Sequence, residues 1–160
     1  MENAAYWINR LEMKPHPEGG YYRESFRSKQ EVRRLFSAET RRACSSIYYL
    51  LESQDFSGFH RIGSDESWYF HLGEPLLIHS IHENGELLSR ELSDLPGGNL
   101  SLFIEAGLWF ASSISSGRGF SLVSCAVAPG FEFSEFEMAN REVLVHQFPQ
   151  HTRIIRSLSR

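Results

Sequence analysis

The sequence GFHRIGSDESWYFHLGE, residues 58–74, decides the predicted fold because it joins two short apolar strands through the turn GSD. Alternation of side chains along a strand places His60 and Ile62 on one face of the first strand. Glu66 and Trp68 share a face of the second strand. A β-sandwich or barrel has a single interior, so His60, Glu66 and Trp68 are predicted to meet inside it.

The remainder of the 160-residue chain has the same pattern of short runs rich in aromatic and β-branched residues, separated by turn residues. This pattern is typical of a sandwich or barrel. An amphipathic helix is predicted over 3–13, with Asn3 as its N-cap, and weaker helical periodicity returns at 29–38. Strands are predicted at 20–27, 43–51, 57–62, 67–72, 75–82, 87–92, 100–104, 108–114, 119–128 and 142–148. We therefore expect one all-β domain over 1–160, with its barrel at about 20–150.

Charge and hydropathy narrow the range of partners. The net charge is −4 and the pI is near 6.0, and basic residues are spread along the chain apart from a small cluster within 33–42. This distribution argues against nucleic acid as the main partner. No apolar run approaches the roughly 20 residues of a membrane span, and the first residues lack the features of a signal peptide. We expect a cytoplasmic protein without a membrane partner.

The opening stretch resembles the first motif of cupins, which are small jelly-roll barrels. His60, Glu66 and Gly73 stand at the spacing of that motif, in which two histidines and a glutamate bind metal. Ile62 replaces the second histidine, and Gln54 stands where the motif has its leading glycine. The metal ligands implied by the resemblance are therefore incomplete.

The second cupin motif is weaker still in this chain. Its best match is EAGLWF at 105–110, where only Gly107 agrees. Glu105 replaces a proline, and Phe110 replaces the histidine that supplies the fourth ligand.

Four blocks in order are similar to the cupin-5 family of single-domain proteins. They are HPEGGYYRE at 16–24, FHRIGSDESWYFHLGEPL at 59–76, AGLWFAS at 106–112 and SLVSCAVAPGFEFSEFEMA at 121–139. The resemblance implies a cupin-type jelly-roll β-barrel with a short N-terminal helix, and a homodimer. It carries no assigned reaction, although the sugar-nucleotide epimerases of the wider cupin class suggest one.

The sequence predicts no metal and no other cofactor. Catalytic zinc needs three protein ligands and iron sites need two histidines and a carboxylate. Here His60 and Glu66 are joined only by Glu105 or His79, if their strands face inward. The apolar residues at the other two motif positions remove the neutral nitrogen ligands.

The favoured interpretation is a metal-independent isomerase or epimerase acting on a sugar-like or nucleotide-like substrate. His60 would act as general base or acid, and Glu66 would set its tautomer and raise its pKa. Tyr22 or Tyr48 would return a proton from the other face of the substrate. Two alternatives remain open: a non-catalytic ligand-binding or sensing protein, and a buried His60–Glu66 pair that only orders the barrel.

Aromatic and charged residues complete the predicted small-molecule pocket. Trp68 and Tyr48 are either stacking platforms for a ring or core residues. The segment 16–24 either crosses the barrel mouth or forms a strand that is added to a sheet edge or exchanged with a partner. The predicted ligand-binding residues are Trp68, Tyr48, Arg23, Glu24, Phe110 and Phe131, the last lying on a covering segment after a Pro-Gly turn.

Overall fold

The computed structural model describes residues 3–35 and 37–160, and antiparallel β-sheets dominate these residues. The strands are β1 (Lys14–Pro15), β2 (Tyr21–Arg27), β3 (Glu31–Arg33), β4 (Thr40–Arg42), β5 (Ser45–Glu52), β6 (Phe56–Arg61), β7 (Asp65–Gly73), β8 (Leu76–Ile81), β9 (Leu87–Leu92), β10 (Ser101–Ile104), β11 (Trp109–Ile114), β12 (Phe120–Ala128) and β13 (Glu137–Met138). The α-helices are α1 (Ala4–Arg10), α2 (Arg141–Gln147) and α3 (Thr152–Ser157), and 3₁₀ turns occupy Phe133–Glu135 and Pro149–His151.

Two large sheets form the body of the fold. One has six strands in the order β1-β2-β5-β12-β7-β10, and the other has five in the order β13-β6-β11-β8-β9. The pair β3-β4 forms a separate hairpin. Register places His60 opposite Phe110 in the five-stranded sheet and Trp68 opposite Cys125 in the six-stranded sheet. The two strands of the opening stretch therefore belong to different sheets, as in a jelly roll.

Three apolar clusters hold these layers together. The central cluster joins the inner faces of both sheets and includes Tyr49, Trp68, Phe110 and Val123. A second packs the C-terminal helices against the outer face of the five-stranded sheet, through Phe59, Trp109, Leu144 and Ile155. A third packs α1 against the outer face of the six-stranded sheet, at Leu50 and Leu122. Helices thus cover both outer faces, while the space between the sheets holds the main core.

The structure confirms the predicted strands between residues 20 and 128 to within a few residues at their ends. The N-terminal helix is shorter than predicted, but its cap is confirmed, because the Tyr6 N–H donates to Asn3 Oδ1 at 3.0 Å. Within the described residues, no helix has the length and apolar character needed to cross a membrane.

Two predicted elements are wrong. The expected strand at 142–148 is helix α2, which begins where the Asn140 side chain accepts a hydrogen bond from the Val143 N–H at 3.1 Å. Its β-branched residues favoured a strand by propensity, and packing of Leu144 into the second cluster overrides that preference. The weak helical pattern at 29–38 is the hairpin β3-β4, with Phe36 outside the described residues.

Candidate functional site

A cavity of about 510 Å³ lies between the sheets. It is lined by residues of β2, β5, β6, β7, β12 and the segment 131–136. Its buried end is polar and is formed by side chains of residues exposed by 8% or less, namely Glu18, His60, Glu66 and Cys125. Its walls are aromatic and include Tyr22, Phe131, Phe133 and Phe136. Its open end is charged and carries Lys14, Arg23, Glu24 and Glu132. The volume lies within the range of small-molecule pockets.

Glu18 reaches the buried end of the cavity because two glycines turn the chain immediately after it. Gly19 has φ +117°, and a Cβ there would lie 2.0 Å from the Phe56 carbonyl oxygen. Gly20 has φ +69°, and a Cβ there would lie 2.6 Å from the Leu50 carbonyl oxygen. Any side chain at either position would be strained and would clash with backbone. The Gly-Gly pair is therefore required by the loop that presents Glu18.

Hydrogen bonds from distant parts of the chain hold this loop in place. The Gly58 N–H donates to the Glu18 carbonyl at 2.8 Å, and the Arg160 Nε donates to the same oxygen at 3.1 Å. Further bonds run from Gly20 N–H to Asp55 Oδ2 at 2.8 Å and from Tyr49 Oη to the Gly19 carbonyl at 2.8 Å. The backbone that carries Glu18 is thus fixed on both sides.

His60 has both ring nitrogens engaged. Nδ1 lies 2.7 Å from the Gly58 carbonyl oxygen, which can only accept, so Nδ1 carries a hydrogen and donates it. Nε2 lies 3.1 Å from Glu18 Oε2. Two unprotonated acceptors would repel each other at this distance, so a proton lies between the ring and the carboxyl. His60 and Glu18 form a buried pair that shares this proton.

His16 approaches the same carboxyl from the other side. Its Nδ1 accepts a hydrogen bond from the Glu18 backbone N–H at 3.2 Å and lies 3.6 Å from Glu18 Oε2. Burial lowers the pKa of His16; the negative charge of Glu18 opposes this, and His60 lowers the pKa further. The ring stands edge-on to Tyr22, with centroids 4.6 Å apart. His16 is therefore a neutral, aromatic-packed neighbour of Glu18 at neutral pH.

Glu66 lies at the buried end without a cation beside it. Burial raises the pKa of Glu66 to about 8, and the nearby charge of Glu18 adds to the increase. Trp68 and Cys125 lower it by a smaller amount. Burial also raises the pKa of the Cys125 thiol, which lies next to this carboxyl. The buried end therefore holds one carboxyl that is neutral at pH 7 and one that is paired with a histidine.

The predicted role of Glu66 as the partner of His60 is wrong. Glu18, from the loop before β2, occupies that position, and the Nε2 of His60 faces it. Alternation correctly put His60 and Glu66 in the same interior, but side-chain contacts inside a barrel depend on which loop enters it. The Glu18 carboxylate lies beside His60 because the Gly-Gly turn directs its side chain into the interior.

Three residues predicted to bind ligand lie outside the cavity lining. Trp68 is 1% exposed and Phe110 is also 1% exposed, and both belong to the central core. The Phe110 ring supports His60 from behind, with centroids 4.2 Å apart. Tyr48 lies on the opposite face of its strand from Ile47 and packs with the α1 cluster. Alternation along β5 therefore removes Tyr48 from the cavity and from the proton-return role predicted for it.

The other predicted residues do line the cavity. Tyr22 forms part of its wall, and Phe131 lies on the covering segment as expected. Arg23 and Glu24 stand at the open end, where Arg23 pairs with Glu12 at 3.3 Å. Glu24 accepts a hydrogen bond from Arg27 at 2.8 Å. The arginines that line the open end are thus paired with neighbouring acids.

The aromatic wall depends on charged anchors. The segment 131–136 has a single 3₁₀ turn and is fixed at Glu135, which pairs with Arg34 and, at 2.7 Å, with Arg41. These arginines lower the pKa of Glu135, the Arg34 hydrogen bond most. The Arg27 Nη1 also donates to the Phe131 carbonyl at 3.0 Å. The wall is held by polar contacts to the β3-β4 hairpin and to β2.

Comparison with known proteins assigns the chain to a family. Residues 5–139 match the model of Cupin_5, described as cupin superfamily (DUF985). The chain belongs to the cupin-5 family. A comparison with curated proteins finds no match.

Solved structures agree with the family assignment. A Shewanella oneidensis protein is 42% identical with a TM-score of 0.90, covering 100% of this chain and 99% of that one. A hypothetical protein from Leishmania major is 33% identical with a TM-score of 0.93, covering 99% of each chain. Oxalate decarboxylase from Bacillus subtilis is 18% identical with a TM-score of 0.56, covering 90% of this chain and 36% of that one. The last similarity shows the cupin fold alone.

The residues of this cupin do not fit the metal site of the wider class. Ile62 lines the cavity where the second motif histidine would stand, and Phe110 covers one face of His60.

The two additional ligands considered from the sequence do not complete a site. His79 bonds through Nδ1 to Ser89 Oγ at 2.7 Å, and Glu105 is exposed, so neither lines the cavity. Within 3–35 and 37–160, no group of three or more His, Cys, Asp or Glu side chains is arranged to hold a metal ion. The cavity therefore lacks the nitrogen ligands that the two cupin motifs have at the positions of Ile62 and Phe110.

His16 and Glu18 are residues near the buried end of the cavity that sequence reasoning missed. Their signal was present in HPEGG, where a histidine and an acid precede two glycines. A Gly-Gly pair indicates a backbone bend that directs its neighbours inward. Which of those neighbours reaches the cavity follows only from the contacts with β5 and β6.

Proposed function

We propose that this cupin binds a small molecule in the cavity and catalyses a metal-independent proton transfer, of the isomerase or epimerase type. The observation that carries the proposal is the buried pair of Glu18 and His60, which shares a proton at the end of a ligand-sized cavity. Buried acid–base pairs of this kind are typical of proton-transfer sites.

Glu18 is the base in this proposal, and His60 is its positioning residue. His60 uses one nitrogen on Gly58 and the other on Glu18 Oε2, so its ring has no free nitrogen for a substrate. His16 approaches the same oxygen. The second oxygen, Oε1, is therefore the atom that accepts a proton from the substrate. The His60 ring stabilises the carboxylate and fixes its direction.

Tyr22 is the proposed second proton donor. It lines the cavity, and its ring packs against His16 beside Glu18. A phenol can return a proton to a carbon from a direction that the buried carboxyl does not reach. This keeps the role predicted from the sequence for Tyr22 and transfers the role of base from His60 to Glu18.

The walls favour a ligand with a flat or ring-shaped face. Phe131, Phe133 and Phe136 stand within about 6 Å of one another, and His16 packs against two of them. Sugar rings and nucleobases bind to such aromatic surfaces. We therefore retain a sugar-like or nucleotide-like substrate as the proposed class.

The competing proposal is a non-catalytic binding or sensing protein, favoured by the same aromatic wall and by the internal pairing of the charges at the open end. Exchange of carbon-bound hydrogen with solvent deuterium distinguishes the two proposals. In D₂O, a panel of aldoses, ketoses and nucleosides is incubated with the protein, and NMR follows deuterium entering carbon positions. Proton transfer predicts enzyme-dependent exchange with at least one compound, whereas tight binding without exchange supports the sensor.

Two variants make this experiment specific. Glu18→Gln keeps the shape of the side chain but removes the base, so exchange should fall by about 10²–10⁴-fold. Glu142→Gln changes an exposed carboxylate on helix α2, outside the cavity, and should leave exchange nearly unchanged. Equal losses in both variants would contradict the role of Glu18.

A cytoplasmic homodimer remains the proposed setting of this protein. Sheet edges such as that of β10 can be covered by a second copy. Native mass spectrometry of the purified protein would give the number of subunits and any retained ligand together. A monomer at micromolar concentration would contradict the dimer.

A further inference from the structure

Glu66 is a buried carboxyl that faces the cavity without a cation. Its residue is 8% exposed, and its side chain lines the buried end. Among the described residues, no Lys, Arg or His lies within ion-pair distance of it. Its titratable neighbours at this end of the cavity are Glu18 from the loop before β2, His60 from β6 and Cys125 from β12. Glu18 and Cys125 are themselves acids, and His60 is already paired with Glu18, so none of them supplies a positive charge to Glu66.

The two carboxyls of the cavity therefore have opposite surroundings. Glu18 has a histidine on each side, at 3.1 Å and 3.6 Å. Glu66 has only a thiol and an indole beside it and retains its proton at pH 7, because burial penalises its ionised form. Titratable groups with environments that differ in this way divide into a base and an acid.

We propose that Glu66 is the catalytic acid of this site: its neutral carboxyl donates a proton to a carbonyl oxygen of the substrate while Glu18 removes a proton from the adjacent carbon. The substrates are therefore carbonyl compounds, such as open-chain or keto sugars, with a hydrogen on the carbon next to the carbonyl. This inference rests on the proposed proton-transfer function and deepens it by assigning the substrate class.

The proposed step balances without an oxidant or a reductant. Oε1 of Glu18 takes the proton from the carbon, and the electron pair of that C–H bond forms the carbon–carbon double bond of an enol. The carbonyl oxygen takes the proton of Glu66, whose O–H bond breaks. When the enol returns to a carbonyl, its hydroxyl proton goes back to Glu66, and the carbon takes a proton from Glu18 or, on the other face, from Tyr22, which then regains a proton from Glu18 through solvent. A change of face or position of that proton gives the isomer.

The substrate class follows from the donor. A neutral carboxyl in a water-poor cavity stabilises negative charge that develops on oxygen, and this is the charge that enol formation produces. A substrate that carries a phosphate at the reacting end would meet two carboxyls there and no free cation among the described residues. The buried end therefore selects an uncharged carbonyl, while the charged groups stay at the open end.

Infrared spectroscopy tests the protonation of Glu66 without any substrate. The carbonyl band of a protonated carboxyl should be present at pH 7, lost in Glu66→Gln, and retained in Glu132→Gln, because the latter carboxylate is solvated. The band should disappear as the pH rises above about 8. A Glu66→Gln spectrum identical to the wild type at pH 7 would overturn the inference, whatever substrate is later found.

Deuterium exchange on ketoses and aldoses, compared with the matching alditols, tests the substrate class. Glu66→Gln should lower exchange by about 10²-fold, the low end for loss of a general acid, because its amide still donates a hydrogen bond. Wild-type exchange should also fall above about pH 8, and this fall should be absent in the variant. Exchange that is equal in wild type and Glu66→Gln would overturn the role of Glu66 while leaving the role of Glu18 intact.

The two proposals fail in distinguishable ways. If the protonated band is found but no carbonyl compound exchanges, proton transfer and the carbonyl class are both contradicted, and Glu66 is only a buried neutral acid. If exchange occurs but the band is absent, the proposed function stands and the inference about Glu66 falls.

Discussion

Glu66 is a single residue whose raised pKa affects both the proposed chemistry and the stability of the protein. Its pKa is near 8 in the fold, against an ordinary value of 4.5, so the folded state binds more protons than the unfolded state between these pH values. Stability must therefore fall as the pH rises from about 4.5 to about 8, by up to a few kcal/mol. The buried acid destabilises the protein where the reaction is expected to run.

Glu66→Gln should remove this pH dependence. We expect the variant to unfold at higher denaturant concentration than the wild type at pH 8, with a difference of a few kcal/mol that shrinks toward pH 4.5. Urea unfolding at several pH values measures it, and Glu132→Gln is the control. A variant that loses stability equally at pH 5 and pH 8 would show that Glu66 is ionised or hydrogen-bonded in another way.

Residue-scale reasoning from the sequence found one side of the site. Alternation was sufficient to place His60 and Glu66 in the interior, since each strand face is set by the residues themselves. It could not supply Glu18, because that carboxyl arrives on a loop whose path is set by positive φ angles and by contacts with Gly58 and Asp55. It correctly placed Trp68 in the interior, but it did not predict that Trp68 lies in the core and outside the cavity lining.

At the scale of elements, the loop 16–20 is the feature that builds the site. Gly19→Ala should destabilise the protein by about 3 kcal/mol or more, since the new Cβ would meet the Phe56 carbonyl and the φ is strained. Gly107→Ala is the matched control: its φ is also positive, but no atom lies within 4 Å of the new Cβ, so about 1 kcal/mol is expected. Equal losses in thermal unfolding would mean that the close approach of the loop is unimportant.

The segment 131–136 is the second element that shapes the cavity. Glu135→Gln should loosen it, because Arg41, whose side chain is only 4% exposed, loses its ion pair with the segment. We expect a cost of about 1–3 kcal/mol and faster amide hydrogen exchange within 131–136. Glu137→Gln breaks an exposed pair with Arg61 and should cost less than about 1 kcal/mol. Unchanged exchange in Glu135→Gln would show that the wall does not depend on this anchor.

Secondary structure was predictable where pattern and packing agree. The strands from β2 to β12 follow the alternation of the sequence, and α1 follows its Asn3 cap. Helix α2 was missed because Val143 and Val145 are β-branched and suit a strand, while packing of Leu144 into the second cluster decides the helix. Tertiary packing overrides propensity in such short segments.

At the scale of the whole molecule, the C-terminal helices lie after the family match at 5–139 and complete the second apolar cluster. Ile155 is 0% exposed in the cluster that supports the strand carrying His60. Ile155→Ala should therefore cost about 2–5 kcal/mol. Val143→Ala, on the exposed face of α2, should change stability by no more than about 0.5 kcal/mol. Similar losses in denaturant unfolding would mean that the helices do not pack as described.

The fold of this molecule can be predicted from its sequence much further than its function can. A jelly-roll barrel follows from alternation, turns and four family blocks, because these features repeat along the whole chain. The proposed reaction depends on a few contacts between segments that are distant in sequence. Function must therefore be argued from the pair of Glu18 and His60 and from the cavity that contains it.

Metal-independent proton transfer is tested by the rate at which protein treated with a chelator incorporates deuterium into carbonyl sugars. Metal-independent proton transfer predicts an enzyme-dependent rate that the chelator does not change and that Glu18→Gln lowers by about 10²–10⁴-fold. A rate that vanishes with the chelator and returns on adding a divalent metal would contradict the account, as would a wild-type rate that Glu18→Gln leaves unchanged.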